Sequence, residues 1–191
     1  MTSEDLRQIE KYLPEGAQIY TYSVGKSNLA AAIVSADIDG DGKDETVVVY
    51  NERAPTPQEG TLPLTLSILT RRGKTLDVKA SLKFSGGVLF DISVDGAHSH
   101  LAVRDVTGDN RPEILVAPGT GASIGGWLEI LSLSGAMLRE LTRIDGHFFN
   151  VQSRGVGKPS RIIVRSNGEK DRRIFVWNGL TFEQVGNIKT Q

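Results

Sequence analysis

Two acidic stretches of this sequence carry residue types at a spacing that suits a metal ion. The first spans residues 37–45 and has carboxylates at its positions 1, 3, 5 and 9, with a backbone carbonyl available at position 7. Gly40 and Gly42 allow the backbone to turn, so these oxygens can surround one point. Calcium takes about six to eight oxygen ligands in flexible geometry, so the stretch predicts a Ca²⁺ site. The predicted ligands are Asp37, Asp39, Asp41, Lys43 (through its carbonyl oxygen) and Glu45.

The second stretch, residues 105–113, repeats this pattern with fewer charges. A threonine replaces the carboxylate at its position 3, so a second and weaker Ca²⁺ site is predicted there. A third copy, from Ser153 to Arg161, has no carboxylate at the corresponding positions and is predicted to hold no metal. The predicted ligands of the second stretch are Asp105, Thr107, Asp109, Arg111 (through its carbonyl oxygen) and Glu113.

Charge repulsion among the carboxylates of the first stretch has a structural consequence. Two like charges about 5 Å apart cost roughly 3 kcal/mol at an effective dielectric constant of about 20, so we expect the stretch to need a cation for order.

An EF-hand is excluded, because that loop needs a glutamate at position 12, where this sequence has Val48, and helices on both sides. The β-branched run from Thr46 to Val49 follows instead, so the stretch is predicted to join two strands.

Short β-rich segments separated by turns make up most of the chain. The dipeptides Arg72-Gly73, Ser134-Gly135 and Asn178-Gly179 each stand between two segments of strand character and predict three hairpins. One helix is predicted over residues 2–13, where apolar residues recur at helical spacing until Pro14 ends the pattern.

The loops and hairpins recur in the same order, which indicates a repeat. The loops begin at residues 37, 105 and 153, and the turn glycines follow at 73, 135 and 179. Each copy holds a strand, a loop, a second strand and a hairpin, and four antiparallel strands per repeat are typical of a propeller blade. We therefore predict one all-β, β-propeller-like domain over 1–191. It comprises about three four-stranded antiparallel blades at 28–95, 96–145 and 146–187, with an additional strand within 89–94.

Three blades are fewer than the roughly four to eight of closed propellers, so open sheet edges need cover. Three arrangements would provide it, and the sequence leaves all three open. This chain could self-associate through the open edges, the helix and residues 17–28 could cover an edge, or another chain could complete the ring.

Composition excludes several classes of protein. The 191 residues include no cysteine, which removes disulfide frameworks, iron–sulfur clusters and thiol nucleophiles. Lys and Arg (22) nearly balance Asp and Glu (23), so the chain lacks the concentrated positive charge of a nucleic-acid-binding or membrane-surface protein. The longest apolar run, 29–34, is far below the roughly 20 residues of a membrane-spanning helix.

The loop motif resembles a known family. Residues 36–45 and 105–116 are similar to the FG-GAP repeats of integrin α-subunit propellers and to the related bacterial VCBS repeats. Val116-Ala117-Pro118-Gly119 and Phe175-Val176-Trp177-Asn178-Gly179 resemble parts of the same repeat, and the likeness covers about residues 28–187. The resemblance implies Ca²⁺ held in the loops by the carboxylates named above.

The same resemblance implies residence in the periplasm or outside the cell, with a leader removed from this chain. The first residues are acidic and lack the pattern of a secretory leader, and the absence of cysteine fits the cytoplasm equally well. The family further implies binding of a protein or carbohydrate ligand instead of catalysis.

Other functions remain open at this point. Residues 121–125 match the G-x-S-x-G pattern of hydrolases, with Ser123 as the nucleophile, but that motif needs a following helix and residues 128–133 alternate as a strand. A polysaccharide-active propeller and a partial propeller completed by another chain are further alternatives. The leading prediction is a calcium-binding, non-enzymatic binding or scaffold module.

Overall fold

The computed structural model describes residues 3–24, 28–53, 62–73, 75–120 and 125–189. These residues form strands almost throughout, with one short helix, so the all-β prediction is confirmed. No described helix combines the length and the apolar character that crossing a membrane requires. In chain order the elements are α1 (Ser3–Glu10), β1 (Gln18–Ile19), β2 (Thr21–Val24), β3 (Asn28–Ala31), β4 (Ile33–Ala36), β5 (Glu45–Asn51), β6 (Leu64–Arg72), β7 (Thr75–Lys83), β8 (Val88–Leu89), β9 (Ile92–Val94), β10 (Ala97–Ser99), β11 (Leu101–Arg104), β12 (Glu113–Val116), β13 (Pro118–Gly119), β14 (Gly126–Ser134), β15 (Met137–Gly146), β16 (Phe148–Gln152), β17 (Arg161–Arg165), β18 (Arg172–Trp177) and β19 (Phe182–Ile188).

Three sheets repeat one four-stranded antiparallel order. The first sheet runs β4-β5-β6-β7, and β1 lies beside β5 beyond the end of β4. The second runs β11-β12-β14-β15, and the short strands β13 and β8 extend it from β14. The third runs β16-β17-β18-β19, with β9 parallel to β16 and β10 beyond it. Among the described residues, β2 and β3 form a separate hairpin and no sheet closes on itself.

Apolar cores lie between successive sheets and beneath the helix. One core joins the first and second sheets and includes Val47 and Ile114, and another joins the second and third sheets and includes Leu128 and Val151. Because β5 is covered on both sides, it reads as a nearly continuous apolar run instead of an alternating one.

Helix α1 covers the face of the first sheet that points away from the second sheet. Its residue Ile9 and the following Leu13 are buried in one cluster with Val48 and Tyr50 of β5. The helix ends at Glu10, earlier than the predicted residue 13, although backbone hydrogen bonds of the turn continue to Leu13. The helix thus covers a face of the first sheet, and the predicted cover of an open edge by the helix and residues 17–28 stays a prediction.

The three predicted hairpins are confirmed as β6–β7, β14–β15 and β18–β19, and they share an irregularity. In each hairpin the outgoing strand carries one extra residue, a β-bulge, six residues after its turn glycine. The repeat is therefore visible in the backbone as well as in the sequence. The bulged residues are Lys79, Leu141 and Val185.

The additional strand predicted within 89–94 forms as two short strands in different sheets. Leu89, at the end of β8, pairs with the second sheet, whereas Ile92, at the start of β9, pairs with the third. Between them, the backbone N–H of Phe90 donates to the carbonyl of Ala117 at 2.7 Å. This segment therefore links the second and third sheets.

Candidate metal centre

The first acidic loop joins β4 to β5 and is held by its own aspartates. Both carboxylate oxygens of Asp37 accept backbone hydrogen bonds, from Gly40 at 2.8 Å and from Gly42 at 2.9 Å. Both glycines have positive φ, 80° and 83°, which side chains with a Cβ adopt at a cost. The sequence Asp-x-x-Gly-x-Gly therefore turns the chain between β4 and β5 and brings Asp37 and Asp39 near Glu45.

Three of the predicted ligands come together in this loop. Asp37, Asp39 and Glu45 each place a carboxylate oxygen within 4.8 Å of the others. Glu45 begins β5 on the same strand face as Val47, and its side chain is only 1% exposed. One of its oxygens, Oε2, accepts the backbone N–H of Ile38 at 3.0 Å.

The ammonium group of Lys79 lies at this cluster, which sequence reasoning did not anticipate. Its Nζ donates to Oε1 of Glu45 at 3.0 Å and also contacts Oδ2 of Asp39. The Lys79 side chain is 16% exposed and comes from the bulge of β7. The first loop therefore already has a cation among its carboxylates, supplied by the protein itself.

The electrostatics of this group are consistent with a charged cluster. The hydrogen bond from Lys79 is the largest cause holding the pKa of Asp39 below its ordinary value. Burial alone would lower the pKa of Lys79, but the hydrogen bonds and charges of Asp39 and Glu45 together raise it above its ordinary value. Both shifts favour the charged forms of Asp39 and Lys79.

The carboxylate of Asp41, another predicted ligand of the first loop, lies outside the cluster. Asp41 is exposed and accepts the backbone N–H of Lys43 at 2.8 Å. The ammonium of Lys43 is 3.7 Å from the other oxygen of Asp41, in an exposed pair that contributes little to stability. Neither side chain joins Asp37, Asp39 and Glu45.

The donor set of the first loop fits a hard cation such as Ca²⁺. Three carboxylates offer several oxygens close together, and calcium prefers such ligands over nitrogen or sulfur. An ion that used Asp39 and Glu45 would take the place of the Lys79 ammonium, because both carboxylates now face it. The ligand types of this loop therefore suit calcium, and Lys79 would compete with the ion for Asp39 and Glu45.

The second loop, between β11 and β12, has a similar backbone but a different interior. Asp105 accepts the backbone N–H groups of Gly108 at 2.6 Å and Asn110 at 2.9 Å, as Asp37 does in the first loop. Asp109 is exposed and accepts the backbone N–H of Arg111 at 2.8 Å. Within the described parts of the chain, the carboxylates of this loop do not form a cluster like that of the first loop.

Glu113 occupies the place in the second loop that Glu45 occupies in the first. It begins β12, is 2% exposed, and accepts hydrogen bonds from the N–H of Val106 at 2.8 Å and the hydroxyl of Thr107 at 3.2 Å. Burial raises its pKa to about 7, and the backbone hydrogen bonds oppose that shift only in part. No described lysine or arginine forms an ion pair with it. Below about pH 7 a proton therefore neutralises Glu113, whereas in the first loop Lys79 pairs with Glu45.

Leu141 is the physical reason for this difference between the two loops. It is the bulged residue of β15, as Lys79 is the bulged residue of β7, and it packs against the core between the second and third sheets. An apolar side chain cannot compensate a buried carboxylate. In the first loop the carboxylates pair with an ammonium, whereas in the second the glutamate is desolvated without one.

The third loop, between β16 and β17, packs against the second loop. The backbone N–H of Ser160 donates to the carbonyl of Val106 at 3.0 Å, and a Cβ at Gly108 would lie 2.7 Å from Pro159 N. At the other end of the loop, Ser153 donates its N–H and its hydroxyl to Asp95, which also binds Arg104. These contacts give the third loop a packing role.

The proposed nucleophile Ser123 lies outside the described residues, so the hydrolase alternative stays a prediction. Among known proteins, no family model matches this chain, and no curated protein matches its sequence significantly.

Proposed function

We propose that this chain is a non-enzymatic binding or scaffold module made of about three propeller-like blades, and that its first acidic loop is a Ca²⁺ site. The observation that carries this proposal is the group of carboxylate oxygens from Asp37, Asp39 and Glu45, which lie within 4.8 Å of one another. The proposal is limited to the first loop, because among the described residues the carboxylates of the second loop form no such cluster.

The role of calcium in this proposal is structural. Asp37 and Glu45 lie at the two ends of the turn between β4 and β5, so an ion that binds both would pin the two strands together. Lys79 holds the same place when calcium is scarce, because its ammonium already bridges Asp39 and Glu45. In this proposal the Lys79 ammonium and Ca²⁺ therefore exchange at the same carboxylates.

The blade arrangement rests on the repeated sheets. Each has the same strand order, each hairpin carries the same bulge, and the sheets stack face to face around shared cores. The likeness of the loops to FG-GAP and VCBS repeats supports this assignment and carries the further proposal that the protein acts outside the cytoplasm.

Thermal melting in Ca²⁺, in Mg²⁺ and in a chelator tests the calcium proposal. We expect Ca²⁺ to raise the midpoint, because a ligand that binds only the folded state stabilises it, and Mg²⁺ to do so less, because it demands stricter geometry. Asp39→Ala should remove most of the calcium-induced shift. Asp77→Ala, which removes an exposed carboxylate of β7, is the matched control and should keep it.

The quantity compared is the shift caused by calcium in each variant, since Asp39→Ala also removes a partner of Lys79 and lowers the baseline. A wild-type midpoint that is the same in all three conditions contradicts the calcium site.

A further inference from the structure

The face of the third sheet that points away from the second sheet has no cover among the described residues. In the first sheet the corresponding outward face is covered by α1, and the faces between sheets are buried in shared cores. On the third sheet, Ile162 and Val164 of β17 point into the core, so Ile163 points to the opposite face. We call this surface the third-sheet outer face and define it by Phe148, Arg161, Ile163, Arg165, Arg172, Ile174 and Val176.

The strand register arranges this surface in rows. Ile163 pairs with Ile174 in the middle of the sheet, and Ile163 is only 8% exposed although no element packs on it in the described chain. Arg161 lies in the row on one side of this apolar centre, and Arg165 lies in the row on the other. The surface is therefore an apolar strip with Arg165 and Arg172 at one end and Arg161 at the other. Glu183, which pairs with Val176, lies in the row of Arg161.

The arginines of this surface have no acidic partner. In the part of the chain that the structure describes, the side chains of Arg161, Arg165 and Arg172 form neither an ion pair nor a hydrogen bond. The Arg165 guanidinium instead lies 4.1 Å from the ring centroid of Phe148, which is itself 53% exposed. The guanidinium groups therefore keep their hydrogen-bond donors available.

A shallow depression of about 220 Å³ lies between these groups. Ile163, Phe148, Arg165 and Arg172 line it. Asp91 also lines it, and Oδ2 of this carboxylate bonds to Nδ1 of His98. The depression thus combines an apolar floor with two guanidinium groups and one carboxylate, which leaves the guanidinium groups in excess.

We propose that the third-sheet outer face is the docking site for an acidic segment of a partner protein. Carboxylates of the segment pair with Arg165 and Arg172, because guanidinium and carboxylate groups form two parallel hydrogen bonds. An apolar side chain of the segment packs on Phe148, which is 53% exposed. The inference rests on the binding-module function proposed above and adds the class of partner to it.

Charge argues against a second copy of this chain as the occupant. In a two-fold symmetric pair the same surface meets itself, so the arginines of one copy would face those of the other. Like charges brought together at an interface are costly, whereas an acidic segment brings carboxylates to Arg165 and Arg172, which have no acidic partner among the described residues.

Selection from a displayed library of short random peptides on the full chain, in calcium-free buffer, tests the docking site. We expect the selected pool to be enriched in Asp and Glu beside Leu, Ile or Phe. The most enriched peptide, labelled with fluorescein, should lose affinity for the variant Arg165→Gln/Arg172→Gln on the order of tenfold by fluorescence anisotropy, and high salt should weaken its binding to the wild type.

The variant Arg71→Gln/Arg139→Gln is the matched control, because it removes two exposed arginines from other sheets. It should bind the peptide like the wild type. A pool without acidic enrichment, equal loss in both double variants, or a wild-type dimer in sedimentation that Arg165→Gln/Arg172→Gln abolishes would each overturn the proposal. Because the selection contains no calcium, its result is separate from the melting test of the first loop.

Discussion

The ammonium of Lys79 lies 3.0 Å from Oε1 of Glu45, a carboxylate that is 1% exposed. The two residues are 34 positions apart in the chain. Their pair connects the second and fourth strands of the order β4-β5-β6-β7, because Glu45 begins β5 and Lys79 lies in β7. A buried carboxylate needs a partner, a proton or a metal ion. In the first loop the partner of Glu45 is the Lys79 ammonium. In the second loop Glu113 has no such partner, and its raised pKa favours the protonated carboxyl.

Replacing Lys79 with methionine tests the internal cation. In a chelator, Lys79→Met should lower the free energy of unfolding by roughly 3 kcal/mol, because Glu45 is left buried without its ammonium. In Ca²⁺ the variant should gain more stability than the wild type gains, since no ammonium has to be displaced. Urea unfolding followed by tryptophan fluorescence measures both quantities.

Lys83→Met is the control for that experiment, because the Lys83–Glu52 pair is exposed and its loss should change stability little. A Lys79→Met protein as stable as the wild type in chelator would show that the ammonium does not hold the loop. A smaller calcium gain in the variant would show that Lys79 and calcium do not compete.

Glu113 makes stability depend on pH. Burial raises its folded-state pKa to about 7 from the ordinary value of 4.5, so between these values the folded chain binds a proton that the unfolded chain releases. The contribution of Glu113 to stability is therefore full below 4.5, falls as pH rises toward 7, and stays low above that. Glu113→Gln should remove this dependence and raise stability near pH 8 by as much as about 3 kcal/mol.

Urea unfolding at a series of pH values measures this effect, and the exposed Glu15 provides the control Glu15→Gln. The pH dependence of the control should match that of the wild type. A Glu113→Gln protein that keeps the wild-type slope between pH 4.5 and 7 would show that the carboxyl is not held neutral by the fold.

Gly146 marks a close approach between the second and third sheets. A Cβ at this position would lie 2.3 Å from Cγ1 of Val164, which is fully buried, so Gly146→Ala should cost about 2 kcal/mol of stability through overpacking. A Cβ at Gly186 of β19 would meet nothing within 4 Å, so Gly186→Ala is the matched control. Equal melting midpoints for the two variants would contradict the packing of these sheets.

Helix α1 stabilises the first sheet by covering its outward face. Ile9 is 6% exposed and packs in one cluster with Val48 and Tyr50, so Ile9→Ala should lower the free energy of unfolding by about 2 kcal/mol. Arg7→Ala alters an exposed position of the same helix and should have little effect. If both substitutions cost the same, the helix does not dock through Ile9.

Local sequence features predicted the local structure well. The hairpin at Asn178-Gly179 forms because those residue types favour that turn, and the first loop turns at Gly40 and Gly42 because both adopt positive φ. The spacing of Asp37, Asp39 and Glu45 also indicated that their oxygens would lie together. Each of these inferences needs only residues close in the chain.

The partner of those carboxylates could not be read in the same way. Lys79 stands 40 residues from Asp39 and reaches it only because β7 carries a bulge, which shifts by one residue the side chains that face the loop. Without the bulge, strict alternation would place each side chain of β7 beyond residue 79 on the other face of the sheet. The sequence signal available was the lysine six residues after the turn glycine, where the other two repeats have Leu141 and Val185.

By itself, the sequence determined that this chain is all β, that its strands recur in three loop-and-hairpin units, and that its acidic residues gather in two of the loops. These properties follow from backbone preference and short spacing, which do not depend on distant parts of the chain. Only the tertiary structure decided that Lys79 neutralises one loop, that Glu113 is buried without a cation, and that the third-sheet outer face carries unpaired arginines. Those outcomes depend on strand register and on which sheet faces are covered, and both are set by packing between segments far apart in sequence.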